Sequence, residues 1–176
     1  MRRALLVIDM LNDFVQPGAP LEVPHNREIL PALQQRVLSA RADGTPVVYI
    51  SDAHAEEDPE FSRMGWPPHA VRGTRGAAII NELAPTEKDI QIEKTTYSGF
   101  NGTSLEEELQ KLGVEELVLT GCVSNICILY TAADAVMKGY NVIVPTDCVG
   151  HLDEAEGEFA YRQMKNILGV QVERPA

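Results

Sequence analysis

Six short apolar runs rich in β-branched residues punctuate the chain: Ala4–Ile8, Pro46–Ile50, Asp89–Ile92, Glu116–Leu119, Asn141–Val144 and Val170–Val172. Runs of this length without polar alternation mark parallel strands buried on both faces. Between them lie longer segments with helical spacing, Arg27–Ala42, Ser104–Lys111, Asn125–Lys138 and Asp153–Ile167. In the first of these, Ile29, Leu30, Leu33, Val37 and Leu38 fall on one face. Gly44, Gly113, Gly139 and Gly169 follow the four segments by one or two residues, where a left-handed C-cap favours glycine. Strands alternating with helices predict a three-layer α/β/α fold, a doubly wound, mainly parallel six-stranded sheet of Rossmann-like class covered on both faces.

That topology says where to look for chemistry, because open parallel sheets bind ligands beyond the carboxyl ends of their strands. Asp9, Asp52 and Lys94 each stand just past a predicted strand end, and Cys127 follows the fourth strand by a short turn, at the start of a predicted helix. The four residues are therefore placed so that they could share one crevice. Ser51–Gly76 lacks a strong period and holds the only tryptophan, three prolines and two of the four histidines. A loop this long is expected to be functional, and its proline and aromatic content favours an ordered one. Glu106-Glu107-Glu108 and Glu154–Glu158 read as solvated helix faces.

Composition narrows the function. The chain has 176 residues, read as one domain over 1–176, enough to bury roughly 70% of the surface of its unfolded form. A formal net charge of −11 argues against a nucleic-acid partner, since phosphate binding needs clustered lysine and arginine. A small-molecule substrate fits better. The N-terminal apolar run stops at Asp9, too short for a signal segment or a membrane span. Cys122, Cys127 and Cys148 cannot all pair and form no zinc-type array, so they read as free thiols of a reducing cytoplasm.

A cysteine where a strand turns into a helix is placed to act as a thiolate, because the helix N-terminus stabilises negative charge and its free N–H groups can hold an oxyanion. The plainer alternative is a small buried hydrophobe. A nucleophilic thiol needs a base and a cation, and Asp9 and Lys94 can supply them. Taken singly, Asp9 could be a turn cap and Lys94 a strand-end surface lysine. A second group is Asp52-Ala53-His54, Glu60 and His69, two imidazoles and two carboxylates suited to one divalent ion, with zinc, iron and manganese all compatible. Glu56, Glu57 and Asp58 compete with Glu60 for the same role, and the whole set could equally face solvent.

In order along the chain, five motifs resemble the isochorismatase-like cysteine hydrolases, and within them the nicotinamidases. They are Ala4–Phe14; Asp52-Ala53-His54; Trp66-Pro67-Pro68-His69 with Gly73–Ala77; Lys94–Phe100; and Gly121–Cys127 with Thr131–Ala135. The resemblance implies Cys127 as nucleophile, Asp9 as proton-transfer residue and Lys94 as third member of the triad. It implies a cis Cys122–Val123 peptide, with the N–H groups of Val123 and Cys127 as oxyanion hole and Cys122 otherwise structural. It implies a metal held by Asp52, His54 and His69, zinc first among the candidates, with Glu60 where many nicotinamidases have histidine. Phe14 and Trp66 would wall the substrate ring. The implied reaction is hydrolysis of nicotinamide to nicotinate and ammonia, a step of NAD salvage, in a homo-oligomer. Hydrolysis of another small amide or carbamoyl group by the same triad is the alternative, and a binding module without turnover is a third reading.

Overall fold

The structure, a computed structural model, describes residues 1–175. The elements run β1 (Arg3–Ile8), α1 (Asn12–Val15), α2 (His25–Glu28), α3 (Leu30–Asp43), β2 (Val47–Asp52), α4 (Pro59–Met64), β3 (Ile90–Lys94), α5 (Leu105–Lys111), β4 (Glu116–Gly121), α6 (Leu129–Met137), β5 (Asn141–Pro145), α7 (Glu154–Leu168) and β6 (Gln171–Glu173). All six strands are parallel, in the order β3-β2-β1-β4-β5-β6. The chain leaves β1 in one direction to build β2 and β3 and returns to the other side for β4 to β6, which puts the topological switch point between β1 and β4.

Alternation along each strand sends its apolar side chains to two separate cores. Ala4, Leu6 and Ile8 of β1 pack with Leu105, Leu109, Ala132 and Met164 beneath α5, α6 and α7. Leu5 and Val7 pack with Phe14, Leu33, Val37 and Ala40 on the face covered by α1 to α3. The three-layer expectation holds, with two local corrections. The predicted helix over 27–42 is two helices joined at buried Ile29, and Leu38 of the predicted apolar face is exposed. Its burial is supplied by Ala40, on the same side as Leu33 and Val37.

Gly44 and Gly169 cap α3 and α7 in the left-handed conformation, at φ +76° and +70°. Gly121 has a different task. It pairs with Ile8 across the switch point at φ +104°, and a Cβ there would overlap the Ile8 backbone, so the close approach of β1 and β4 at their carboxyl ends requires glycine.

The segment over 51–76 is more regular than its sequence suggests. Asp58 caps α4 by accepting from the Glu60 N–H, Pro59 occupies the first turn and Gly65 closes the helix at φ +67°. The segment returns to the sheet through a bridge between His54 and Val71. The acidic runs are solvated faces, with Glu106 paired to Lys138 and Glu107 and Glu108 to Lys111. Among the described residues no helix is long and apolar enough to cross a membrane.

Candidate active site

Asp52 and Lys94 are the last residues of strands that run two residues beyond the predicted ends at Ile50 and Ile92, and they are paired in register across β2 and β3. Asp9 follows β1 directly and takes the left-handed conformation at φ +55°, which aspartate tolerates better than most residues and which swings its carboxylate across to its neighbours. Its Oδ1 accepts from the Asp52 N–H at 2.8 Å, and its Oδ2 lies 2.8 Å from Lys94 Nζ. The ammonium also pairs with Asp52 Oδ1 and lies 3.5 Å from Cys127 Sγ. The ammonium thus hydrogen-bonds Asp52 and Cys127 and pairs by charge with Asp9, and the group is wholly enclosed.

Cys127 does not open a regular helix as the sequence suggests. It sits inside a π-helical turn, Ser124–Ile128, that leads into α6. The Val123 carbonyl accepts from both the Ile126 and Ile128 N–H groups, at 3.2 Å each, while the Cys127 amide between them does not join that pair. Such wide turns carry functional side chains in many helices. The preceding Cys122–Val123 peptide is cis. The Cys122 thiol is buried and donates to the Asp9 carbonyl at 3.3 Å, and Cys148 is buried after β5, away from this cluster.

Electrostatics divide the cluster into a held cation and two groups that resist ionisation. Burial works against the Lys94 ammonium, but Asp9, Cys127 and Asp52 together hold it charged well beyond the ordinary lysine range. Burial pushes Asp9 up to about 6, with the Asp52 carboxylate adding to the rise and Lys94 opposing it. Burial also raises the Cys127 thiol far above its usual range, against the pull of Lys94. A resting thiol beside an ionised carboxylate and a permanent cation is the consequence near neutral pH.

A second cluster adjoins the first through Asp52. One ligand atom each from Asp52, His54 and His69 lies within 4.8 Å of the others, and all three side chains are buried. His69 Nδ1 is 2.8 Å from the Pro67 carbonyl, which only accepts, so Nδ1 carries a proton and Nε2 is the ring nitrogen left for another partner. His54 Nδ1 lies 3.0 Å from Asp58 Oδ2, and its buried Nε2 has no hydrogen-bond partner. That nitrogen is 3.7 Å from Asp52 Oδ2 and 3.5 Å from Glu60 Oε2. Burial opposes charge on this ring, yet the Asp52, Asp58 and Glu60 carboxylates outweigh it and push His54 up to about 9. A buried, orphaned imidazole nitrogen facing carboxylates fits a divalent ion, and the nitrogen and oxygen donor set suits zinc, iron or manganese. Glu60 is buried and faces His54, but it does not share the close group formed by Asp52, His54 and His69.

Both clusters open onto a cavity of about 370 Å³ whose lining includes Asp9, Cys127, Asp52, His69, Phe14 and Trp66. Every candidate from the sequence thus lies in or beside one crevice. Tyr97, Leu21 and Leu152 also line it, and nothing in their local spacing marked them. Asp58 stands in the sequence reading only as a rival to Glu60, although Asp-Pro followed by an acidic residue is a helix-start signature that marks both α4 and its cap.

Residues 3–174 match the isochorismatase domain family. Among solved structures, the nicotinamidase/pyrazinamidase PncA of Bacillus subtilis is 32% identical with a TM-score of 0.92, covering 98% of this chain and 100% of its own. The pyrazinamidase of Pyrococcus horikoshii, in complex with zinc, is 31% identical with a TM-score of 0.92, covering 99% of this chain and 100% of its own. The N-carbamoylsarcosine amidase of Thermoplasma acidophilum is 34% identical with a TM-score of 0.88, covering 99% and 96%. With its sheet order, its crevice at the switch point and a family match over nearly its whole length, this chain belongs to the isochorismatase family of hydrolases.

Proposed function

We propose that the chain hydrolyses the carboxamide of nicotinamide, giving nicotinate and ammonia through a thioester on Cys127. One observation carries the reading: the Cys127 thiol, the Asp9 carboxylate and two members of the nitrogen and oxygen donor cluster, Asp52 and His69, line one cavity with Phe14 and Trp66, and the Lys94 ammonium is enclosed directly behind them. Asp52, His54 and His69 would hold the ion, with Glu60 at its edge. When bound, a divalent ion there would supply a Lewis-acid contact for a ring nitrogen and so orient the substrate.

The chemistry belongs to the chain. The Asp9 carboxylate takes the Sγ proton, and Lys94 balances the charge left on sulfur. The sulfur forms a bond to the carboxamide carbon while the carbonyl π pair moves onto oxygen. The N–H groups of Val123 and Cys127 receive that oxyanion, a contact worth on the order of 3 kcal/mol per donor in comparable sites. Collapse breaks the C–N bond as Asp9 returns its proton to the leaving nitrogen, releasing ammonia. Asp9 then draws a proton from water, whose oxygen attacks the thioester. The C–S bond breaks and sulfur regains its proton from Asp9.

A second reading, hydrolysis of a carbamoyl group, follows from the likeness to an N-carbamoylsarcosine amidase. A carbamoyl amino acid carries a carboxylate, and among the described residues no lysine or arginine lines the cavity. A neutral aromatic amide suits such a lining better. An ammonia-release assay with nicotinamide, pyrazinamide and N-carbamoylsarcosine, with and without added zinc, separates the two. Turnover of the pyridine and pyrazine amides, abolished in Cys127→Ala, is the expected result. Preference for the carbamoyl substrate, or ammonia release that survives Cys127→Ala, would overturn the proposal.

A further inference from the structure

Asp58 lies outside the cavity lining, yet its two carboxylate oxygens point in different directions, each to a group that matters for the donor cluster. Oδ2 faces His54 Nδ1 at 3.0 Å, and Oδ1 accepts from the Glu60 N–H at 2.9 Å as the N-cap of α4. A carboxylate can only accept, so the first contact puts a proton on Nδ1 and leaves Nε2, the nitrogen without a partner, turned toward Asp52 and Glu60. The second contact fixes the start of the helix that carries Glu60 and Phe61. The Phe61 ring in turn packs edge-on against His54, with centroids 5.3 Å apart, and tilts against His69 at 4.9 Å.

From this geometry we propose that Asp58 is a positioning residue of the metal centre, holding the His54 ring in the orientation and tautomer that presents Nε2 while anchoring α4 beside it. The inference rests on the reading that Asp52, His54 and His69 hold a divalent ion. His69 is oriented differently, by the neutral Pro67 carbonyl. Of the two imidazoles, then, His54 alone has its far nitrogen on a charged acceptor, which also raises its strength as a donor to a metal. Removing a hydrogen-bond partner of this kind lowers metal affinity about 10- to 100-fold in other proteins.

The two contacts of Asp58 can be separated by substitution. Asn and Ser are both good N-caps, so Asp58→Asn and Asp58→Ser preserve the anchoring of α4. The serine is too short to reach His54, and the asparagine lacks the charge and can turn an N–H toward Nδ1. Asp58→Ala removes both contacts. Zinc affinity of the purified chain, measured by competition with a chromophoric chelator, is compared across these three variants, His54→Ala and wild type. Cobalt(II) absorption of each variant reports the ligand field independently of turnover.

Losses of about 10- to 100-fold for Asp58→Asn and Asp58→Ser, with altered cobalt spectra, are expected. Wild-type affinity and spectra in both, with a loss confined to Asp58→Ala, would reduce Asp58 to a helix cap and overturn the proposal. Zinc binding that is equally weak in wild type and His54→Ala would instead remove the metal reading on which the proposal stands.

Discussion

Lys94 is enclosed by the acidic side chains of Asp9 and Asp52 and the Cys127 thiol, so its removal strands two buried carboxylates. Uncompensated buried charge costs about 3–5 kcal/mol. Lys94→Met should therefore lower the melting temperature by roughly 10 °C in a calorimetric scan, besides ending turnover. Asp9 gives a prediction of opposite sign. Its folded pKa, near 6, lies above its ordinary value of 3.8, so the folded state favours the protonated form. The stability this contributes is present below about pH 4 and is lost as pH rises through 6. Asp9→Asn should thus melt roughly 3–8 °C above wild type at pH 7.5, with the gap closing toward pH 4. The same residue must be ionised to accept the thiol proton, so kcat/KM should fall tenfold per unit as pH drops below about 6. An acid limb centred near 4 would remove Asp9 from that role.

At the scale of elements, the sheet delivers Asp9, Asp52 and Lys94 from three adjacent strands, and the π turn delivers Cys127 from across the switch point. Gly121 makes that approach possible. Gly121→Ala would place a Cβ against the Ile8 backbone at a φ of +104°, and should destabilise the fold by more than about 3 kcal/mol in urea titration. Away from the strand junction the effects are smaller. Asp153 caps α7 by accepting from the Ala155 and Glu156 N–H groups, at 2.9 and 3.3 Å. Asp153→Ala should cost about 1 kcal/mol and Asp153→Asn almost nothing, with kcat unchanged in both. The contrast follows from packing: one substitution strikes the junction of two central strands, the other a solvent-facing helix start.

Over the whole molecule, the two apolar cores lie on either side of the sheet and contain none of the donor-cluster residues, which sit at its carboxyl edge. A chelator-treated sample should consequently keep its far-UV circular dichroism and unfold cooperatively. Its melting temperature should fall by only the few degrees set by mass action, and added zinc should restore it. If the cluster orients the substrate ring, chelation should raise KM for nicotinamide much more than it lowers kcat. Collapse of the secondary structure on chelation would show that the donor cluster is a folding element.

How much of this was legible beforehand depends on the range of the interactions involved. The strands and the long helices follow from local apolar periodicity, and the left-handed glycines from turn sterics, so both can be read residue by residue. The ordered motifs around Asp9, Lys94 and Cys127 likewise carried the family. The helix at Pro59–Met64 escaped because six residues are too few to build a period, although its cap and closing glycine were present. Leu38 misled because an apolar residue at helical spacing becomes core only if a partner surface lies opposite it. The tertiary structure alone decided that Asp52 serves both clusters, that Asp58 reaches His54, and that Tyr97, Leu21 and Leu152 complete the cavity. Those facts depend on contacts between strand ends and loops far apart in the chain, where burial and charge are set by neighbours that no local pattern names.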